Sequence, residues 1–211
     1  MTPTLYAQLE IPESDRATSI RPDAAMYLHS FIREHGLSRT LEIGLAYGCS
    51  AAHIMTATTS RHIAIDPFQH SYGNDLGLRN LERLGLAHRL ELRRELSRQA
   101  LPRLADSGDR FDLIFVDGGH RFDEVFTDFA LCDPLLLEGG YIVFDDAWMA
   151  SVQHVAALIR TNRADYQEVP SQHWNMVIFR RIGSDERSWD HFEEFCRDAD
   201  IHLQGLASRW R

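Results

Sequence analysis

Residues 111–122 read FDLIFVDGGHRF. From Leu113 to Val116 every position is apolar, and the run stops at Asp117, with Gly118 and Gly119 following. A strand with one wet face alternates apolar and polar residues. A run without alternation fits a strand buried on both faces, as in a parallel sheet covered by helices. That reading decides the fold. Asp117 then stands where a strand ends, and two meanings stay open for the stretch. It is either an ordinary strand terminus with His120 in a turn, or the floor of an active site.

Outward from this strand, short apolar runs alternate with helical patterns. A helix is predicted from near Pro22, with Met26, Leu28, Phe31 and Ile32 on one face. TLEIGL (40–45), HIAID (62–66), LELRR (90–94) and GGYIVFDD (139–146) read as strands. CSAAHIMTAT (49–58), DLGLRNLERLG (75–85), SRQALPRLADSG (97–108), FDEVFTDFALCDPLL (122–136) and SVQHVAALIRTN (151–162) read as helices. Gly85 closes the second of these and Ser97 is placed as the cap of the third. YQEV (166–169) and NMVIFRR (175–181) follow without an intervening helix pattern, which predicts that one of them runs antiparallel. The expected architecture is α/β, a doubly wound, mostly parallel seven-stranded sheet with an N-terminal helix. Residues 1–183 are read as one domain. The charged tail, 184–211, carries Trp189, Phe192 and Phe195 at helical spacing and is predicted to be a helix packed on the domain or on a partner.

Composition narrows the functional classes. The chain has 211 residues with 31 acidic and 22 basic side chains, a formal charge of −9, which disfavours non-specific binding to nucleic acid or an anionic membrane. Cys49, Cys132 and Cys196 are scattered, so neither a zinc knuckle nor a redox pair is expected. No signal-peptide pattern and no apolar stretch of the ~20 residues that span a bilayer is seen, and a cytoplasmic location is expected. Association into a homo-oligomer stays open.

In doubly wound sheets, ligands bind at the carboxyl ends of the strands. The first strand ends in LEIGLAYGCSA (41–51), with Glu42, Gly44 and Gly48, and Ser50 opening the next helix. Glycines there let backbone approach a ligand, and a helix N-terminus offers free amides. The dinucleotide fingerprint requires glycine at position 42, where this chain has an acid, so an NAD oxidoreductase is disfavoured. The acid-x-Gly-x-x-x-Gly pattern instead resembles the first motif of class I S-adenosylmethionine-dependent methyltransferases. That resemblance implies that Glu42 helps hold the methionine amino group of the cofactor. Asp66, ending the second strand, has two oxygens for two ribose hydroxyls. Pro67 or Phe68 is placed against the adenine, and Leu96 and Ser97 at its edge, although the chain reads Glu95-Leu96-Ser97 where many relatives have Gly-Asp-Ser.

Asp117 ends the fourth strand, and Asp145 and Asp146 end the fifth. Adjacent strand ends lie ~5 Å apart, so these acids can converge beside the cofactor. Three ionised carboxylates repel one another unless a cation neutralises them, and all-oxygen ligation suits Mg2+, or Mn2+ or Ca2+. Helix capping by Asp145 and Asp146 is the simpler alternative. The segment VDGGHRFDEVFTDFALCDPLLLEGGYIVFDD (116–146) resembles metal-dependent O-methyltransferases of natural-product pathways and, more distantly, catechol O-methyltransferases. The resemblance spans about residues 38–180. It implies Asp117, Asp145 and Asp146 as metal ligands, with Asp117 also facing the cofactor, and it puts His120 where catechol-type enzymes have a lysine base. A cation nearby would keep the imidazole neutral and able to take a proton.

The whole then reads as a methyltransferase acting on a hydroxyl of a small molecule, a natural-product sugar or phenol. Its acceptor pocket is expected from the N-terminal segment, FQHSYGND (68–75), Trp148 and PSQHWN (170–175). A metal-independent N- or carboxyl-methyltransferase, and a cofactor-binding module without catalysis, are the alternatives.

Overall fold

The structure, a computed structural model, describes residues 4–17, 19–71 and 74–197. Seven strands are present: β1 (Thr40–Ile43), β2 (His62–Ile65), β3 (Leu90–Arg93), β4 (Phe111–Val116), β5 (Leu136–Phe144), β6 (Tyr166–Val169) and β7 (Val177–Arg181). Between and before them lie α1 (Pro22–His35), α2 (Cys49–Ala57), α3 (Leu76–Arg83), α4 (Ser97–Asp106), α5 (Phe122–Cys132) and α6 (Ala150–Asn162). All seven strands form one sheet in the order β3-β2-β1-β4-β5-β7-β6. The pairs from β3 to β5 are parallel, and β7 runs antiparallel to both β5 and β6.

The chain leaves β1 toward β2 and β3 on one side and returns to β4 and β5 on the other, so the order switches between β1 and β4. Register then decides what meets there. Ile43 stands beside Ile65 and Val116, and Val116 beside Phe144. Gly44, Asp66, Asp117 and Asp145 therefore leave the sheet in one row.

The non-alternating β4 divides its apolar residues between two cores. Leu113 and Phe115 pack on one face with α1 and α2, whereas Ile114 and Val116 pack on the other with α4, α5 and α6. Each core closes one face of the sheet, which is why both faces of a central strand must be apolar.

Several local expectations are corrected. The buried stripe of α1 is Ala24, Ala25, Leu28, Phe31 and Ile32, and Met26 is 58% exposed. At about 100° per residue, Met26 stands some 200° from Leu28 and cannot share its face. Leu96, not Ser97, is the cap residue of α4. Ser97 is its first helical residue. α5 stops at Cys132, because Pro134 has no N–H to continue it, and β5 starts at Leu136, earlier than expected.

The expected C-terminal helix is absent from residues 184–197, which are irregular. There the Glu193 N–H donates to Asn162 Oδ1 at 2.8 Å, and Asn162 Nδ2 donates to the Glu193 carbonyl at 2.9 Å. Backbone groups held by a side chain of α6 are not available for helical pairing. Trp189 is 97% exposed, so its apolar stripe has no surface to cover it. The remainder of that predicted helix, 198–211, lies outside the described residues. No helix among the described residues is long and apolar enough to cross a membrane.

Candidate active site

A cleft of about 740 Å³ opens over the carboxyl ends of the strands at the switch point. Gly44, Asp66, Pro67, Leu96, Ser97 and Asp117 all line it, as do Gln69 and Asp128. Glu42, Gly48 and Ser50 do not. They sit buried behind its wall.

Gly44 has φ +95°, and a Cβ there would stand 2.1 Å from the Asp117 carbonyl oxygen. The loops after β1 and β4 therefore touch through backbone alone, which only glycine permits. Gly48 has φ +74° and precedes α2, where an added Cβ would lie 3.1 Å from the Gly77 carbonyl. Its role is to let α2 approach α3.

Asp66 is set in place by three donors. Ala46 N (2.9 Å) and Gln69 Nε2 (2.8 Å) donate to Oδ2, and Phe68 N (2.8 Å) donates to Oδ1. A carboxylate oxygen has capacity for a second donor, so both oxygens stay able to accept. Glu42 is fully buried, and neither of its carboxylate oxygens has a hydrogen-bond partner. Its nearest ionisable neighbour is His62, whose Nε2 lies 3.5 Å away while Nδ1 meets Thr40 Oγ1 at 2.8 Å. An orphaned buried carboxylate is costly unless a donor reaches it. Preset oxygens at Asp66, bare backbone at Gly44 and a waiting acid at Glu42 together fit an adenosyl amino acid.

At the edge of the cleft, Asp117, His120 and Asp146 offer ligand atoms that all lie within 4.8 Å of one another, a group capable of holding a metal ion. His120 Nε2 is 3.1 Å from Asp146 Oδ2 and 3.6 Å from Asp117 Oδ1, yet it is buried without a well-directed hydrogen bond. Burial opposes its charge, but the two carboxylates outweigh burial and push the imidazole up to about 10. Without a cation beside them these carboxylates favour the protonated imidazole, whereas the neutral form was expected with a cation bound. Burial raises Asp117 to about 6, partly countered by His120. Asp146 is held below the usual range because His120, Asn175 and Trp148 outweigh its burial.

Asp145, expected as a third ligand, is not in this group. Consecutive side chains leaving a strand point to opposite sides, and Asp146 turns further through φ +53°. Asp145 faces inward, 4% exposed, and burial with the charges of Asp117 and Asp146 drives its carboxyl well above the ordinary range. Asn175 bridges the two acids, donating to Asp145 Oδ1 at 2.9 Å and Asp146 Oδ1 at 3.2 Å. Trp148 Nε1 also donates to Asp146 Oδ1, at 2.9 Å.

Asn175 lies in the stretch expected to line the acceptor pocket, but no local pattern announces its bridge between Asp145 and Asp146. Sequence reading missed Asp128, for which a signal existed. Val125, Asp128, Phe129 and Cys132 form the buried face of α5, and an acid on that stripe needs a reason. Of the expected acceptor loop, Tyr72 and Gly73 lie outside the described residues.

The switch-point cleft with its glycine loop and the acids that end β2, β4 and β5 defines a class I S-adenosylmethionine-dependent methyltransferase. The comparisons agree: the model of a methyltransferase domain matches residues 41–147, just over half of the chain, and the chain belongs to that family. Over 139 residues it is 30% identical to tricin synthase 1 of Oryza sativa subsp. japonica, covering 62% of this chain and 54% of that protein. The chain thus spans about half the length of this relative. In fold it is similar to the O-methyltransferase TomG from Streptomyces achromogenes, involved in tomaymycin synthesis and solved with S-adenosylmethionine (TM-score 0.67, 22% identity, 83% of this chain and 92% of that one). It is also similar to an O-methyltransferase from Bacillus cereus solved with S-adenosylhomocysteine (TM-score 0.67, 19% identity, 78% and 83%).

Proposed function

We propose that this chain transfers the methyl group of S-adenosylmethionine to a hydroxyl of a small molecule, with a divalent cation on Asp117 and Asp146 and with His120 as the base. One observation carries the reading. The Asp117–His120–Asp146 group stands at the edge of the nucleoside cleft, and Asp117 belongs to both.

The donor set fits a hard cation. Two carboxylates with room for water and substrate oxygens suit Mg2+, and Mn2+ accepts the same set. When bound, the ion would lower the pKa of an acceptor hydroxyl and direct its oxygen. The rest falls to this chain. Asp66 and the Gly44 loop hold the nucleoside so that the sulfonium methyl faces the acidic edge, which makes the displacement effectively unimolecular. Asn175 and Trp148 fix Asp146, and Asp146 and Asp117 fix His120. Relieved of its own proton when a cation neutralises the two carboxylates, His120 would take the acceptor proton at Nε2 as the oxygen–carbon bond forms and the carbon–sulfur pair stays on sulfur. The chain contains no lysine, so His120 is the base within reach of this site.

The oxygen acceptor is further supported by TomG and the Bacillus cereus protein, both O-methyltransferases of similar fold. A small acceptor agrees with the cleft volume and the net negative charge. The test is incubation with methyl-labelled cofactor, Mg2+ or Mn2+, and a panel of phenols, catechols and sugar-bearing metabolites. Labelled methyl ether that disappears on chelation is the expected product. Undiminished turnover after exhaustive EDTA treatment would remove the metal, and labelled amine or ester would move the acceptor from oxygen.

A further inference from the structure

Asp128 is 2% exposed, lies on the core-facing stripe of α5, and still lines the cofactor cleft. Among the described residues no arginine or histidine forms an ion pair with it, and the nearby Ser97 hydroxyl favours its ionised form. Its Oδ2 lies 3.8 Å from where a Gly118 Cβ would stand, so the carboxylate sits between the start of α4 and the end of β4. A buried acid without a cation costs stability, and a close-packed fold has no use for one on an apolar stripe.

We infer that Asp128 reads the exocyclic amine of the cofactor's adenine; this rests on the S-adenosyl cofactor proposed above. Asp66 and Leu96–Ser97 follow adjacent strands, β2 and β3. A ribose held at Asp66 therefore sends its base ~5 Å along the row, to the N-terminus of α4. The amine carries two N–H donors that lose water when the base is enclosed, and each needs an acceptor. The other acids of the wall are committed. The remaining capacity of Asp66 is given to the ribose, Asp117 faces His120, and Glu124 Oε2 accepts the Arg121 N–H at 3.3 Å. Asp123 opens α5 in an exposed first turn. Asp128 is buried, has no cation beside it, and is aimed between Ser97 and Gly118.

The neighbourhood completes the pattern. The Ser97 and Arg98 amides open α4, where first-turn N–H groups make no intrahelical bond, and they can donate to the ring nitrogen beside the amine. Acceptor at Asp128 and donor at α4 match adenine and oppose hypoxanthine, in which both groups are reversed. Burial raises the Asp128 carboxyl to about 6, against the Ser97 hydroxyl, so it is ionised and accepting at pH 7.5.

Calorimetry with S-adenosylhomocysteine and S-inosylhomocysteine tests this on the whole chain. Wild-type protein should prefer the adenosyl compound by about tenfold or more. Asp128→Asn keeps size and shape but can turn its amide to either base, so the preference should narrow to within about threefold. Because the ratio is read on one protein, a general loss of affinity cancels. A preference unchanged in folded Asp128→Asn overturns the assignment and leaves Asp128 as an anchor for Ser97. Asp128→Ala guards against an asparagine that happens to mimic the acid, and it too should lose the preference. Wild-type protein that binds both compounds equally would overturn this inference alone. Failure to bind the adenosyl compound at all would overturn the cofactor reading with it.

Discussion

His120 Nε2 lies 3.1 Å from Asp146 Oδ2, joining the loop after β4 to the loop after β5. The contact couples the protonation of one loop to the charge of its neighbour. The imidazole is pushed up to about 10, above its ordinary 6.5, so the folded state binds this proton more tightly than the unfolded chain. The resulting stability is fully present below pH 6.5 and is lost as pH rises through about 10. Melting temperatures recorded from pH 6 to 10 in the presence of EDTA should fall for the wild type. His120→Gln should lack most of that slope, and an equal slope in both would refute the pairing.

A divalent cation on Asp117 and Asp146 should expel that proton. Titrating Mn2+ at pH 7.5 in two buffers of different ionisation enthalpy should reveal about one proton released per ion bound. Buffer-independent heats would mean that the ion binds elsewhere, or that His120 is already neutral.

Neutralising the two adjacent acids should have unequal effects. Asp146 is ionised and faces His120, so Asp146→Asn should lower turnover by roughly two orders of magnitude or more. Asp145 is buried outside the Asp117–His120–Asp146 group, and burial drives its carboxyl well above the ordinary range. Asp145→Asn should keep turnover within about tenfold of wild type. Equal loss in both variants, measured under saturating Mg2+, would return Asp145 to the ligand set.

Gly44→Ala should abolish cofactor binding. Its Cβ would overlap the Asp117 carbonyl at 2.1 Å, in a backbone conformation with φ +95°. The loops after β1 and β4 would have to separate, at a cost of about 1–3 kcal/mol or more. Thermal melts and S-adenosylhomocysteine titration together check this, since a folded variant of normal affinity would show that the loops can yield.

Asp128 should be stability given up for recognition. Its folded pKa, raised to about 6, makes the ionised form a burden above that pH, relieved as pH falls from 6 toward the unfolded value near 4. Asp128→Asn should therefore stabilise the cofactor-free protein by about 1–3 kcal/mol at pH 8, the difference vanishing near pH 4. Chemical denaturation at the two pH values measures it. A variant less stable at pH 8 would indicate that the Ser97 contact outweighs the buried charge.

By itself the sequence determined the order of strands and helices, because periods of 2 and 3.6 are local properties of the chain. The same holds for the glycine loop and the strand-terminal acids. Gly44, Asp66 and Asp117 sit at strand ends, and register in a parallel sheet carries strand ends to one edge. Tertiary structure decided how those ends are used. Asp145 and Asp146 are neighbours in sequence, and a single left-handed residue chooses which faces His120 and which is buried. Asn175 joins them from the β6–β7 connection, a distance in sequence that no local pattern bridges. The tail kept its helical spacing but not its helix, because Asn162 claims the Glu193 backbone first. A strand's period is written in its own residues. The direction of a side chain at its end, and the partner that satisfies a distant backbone, are settled only when other segments compete for the same hydrogen bonds.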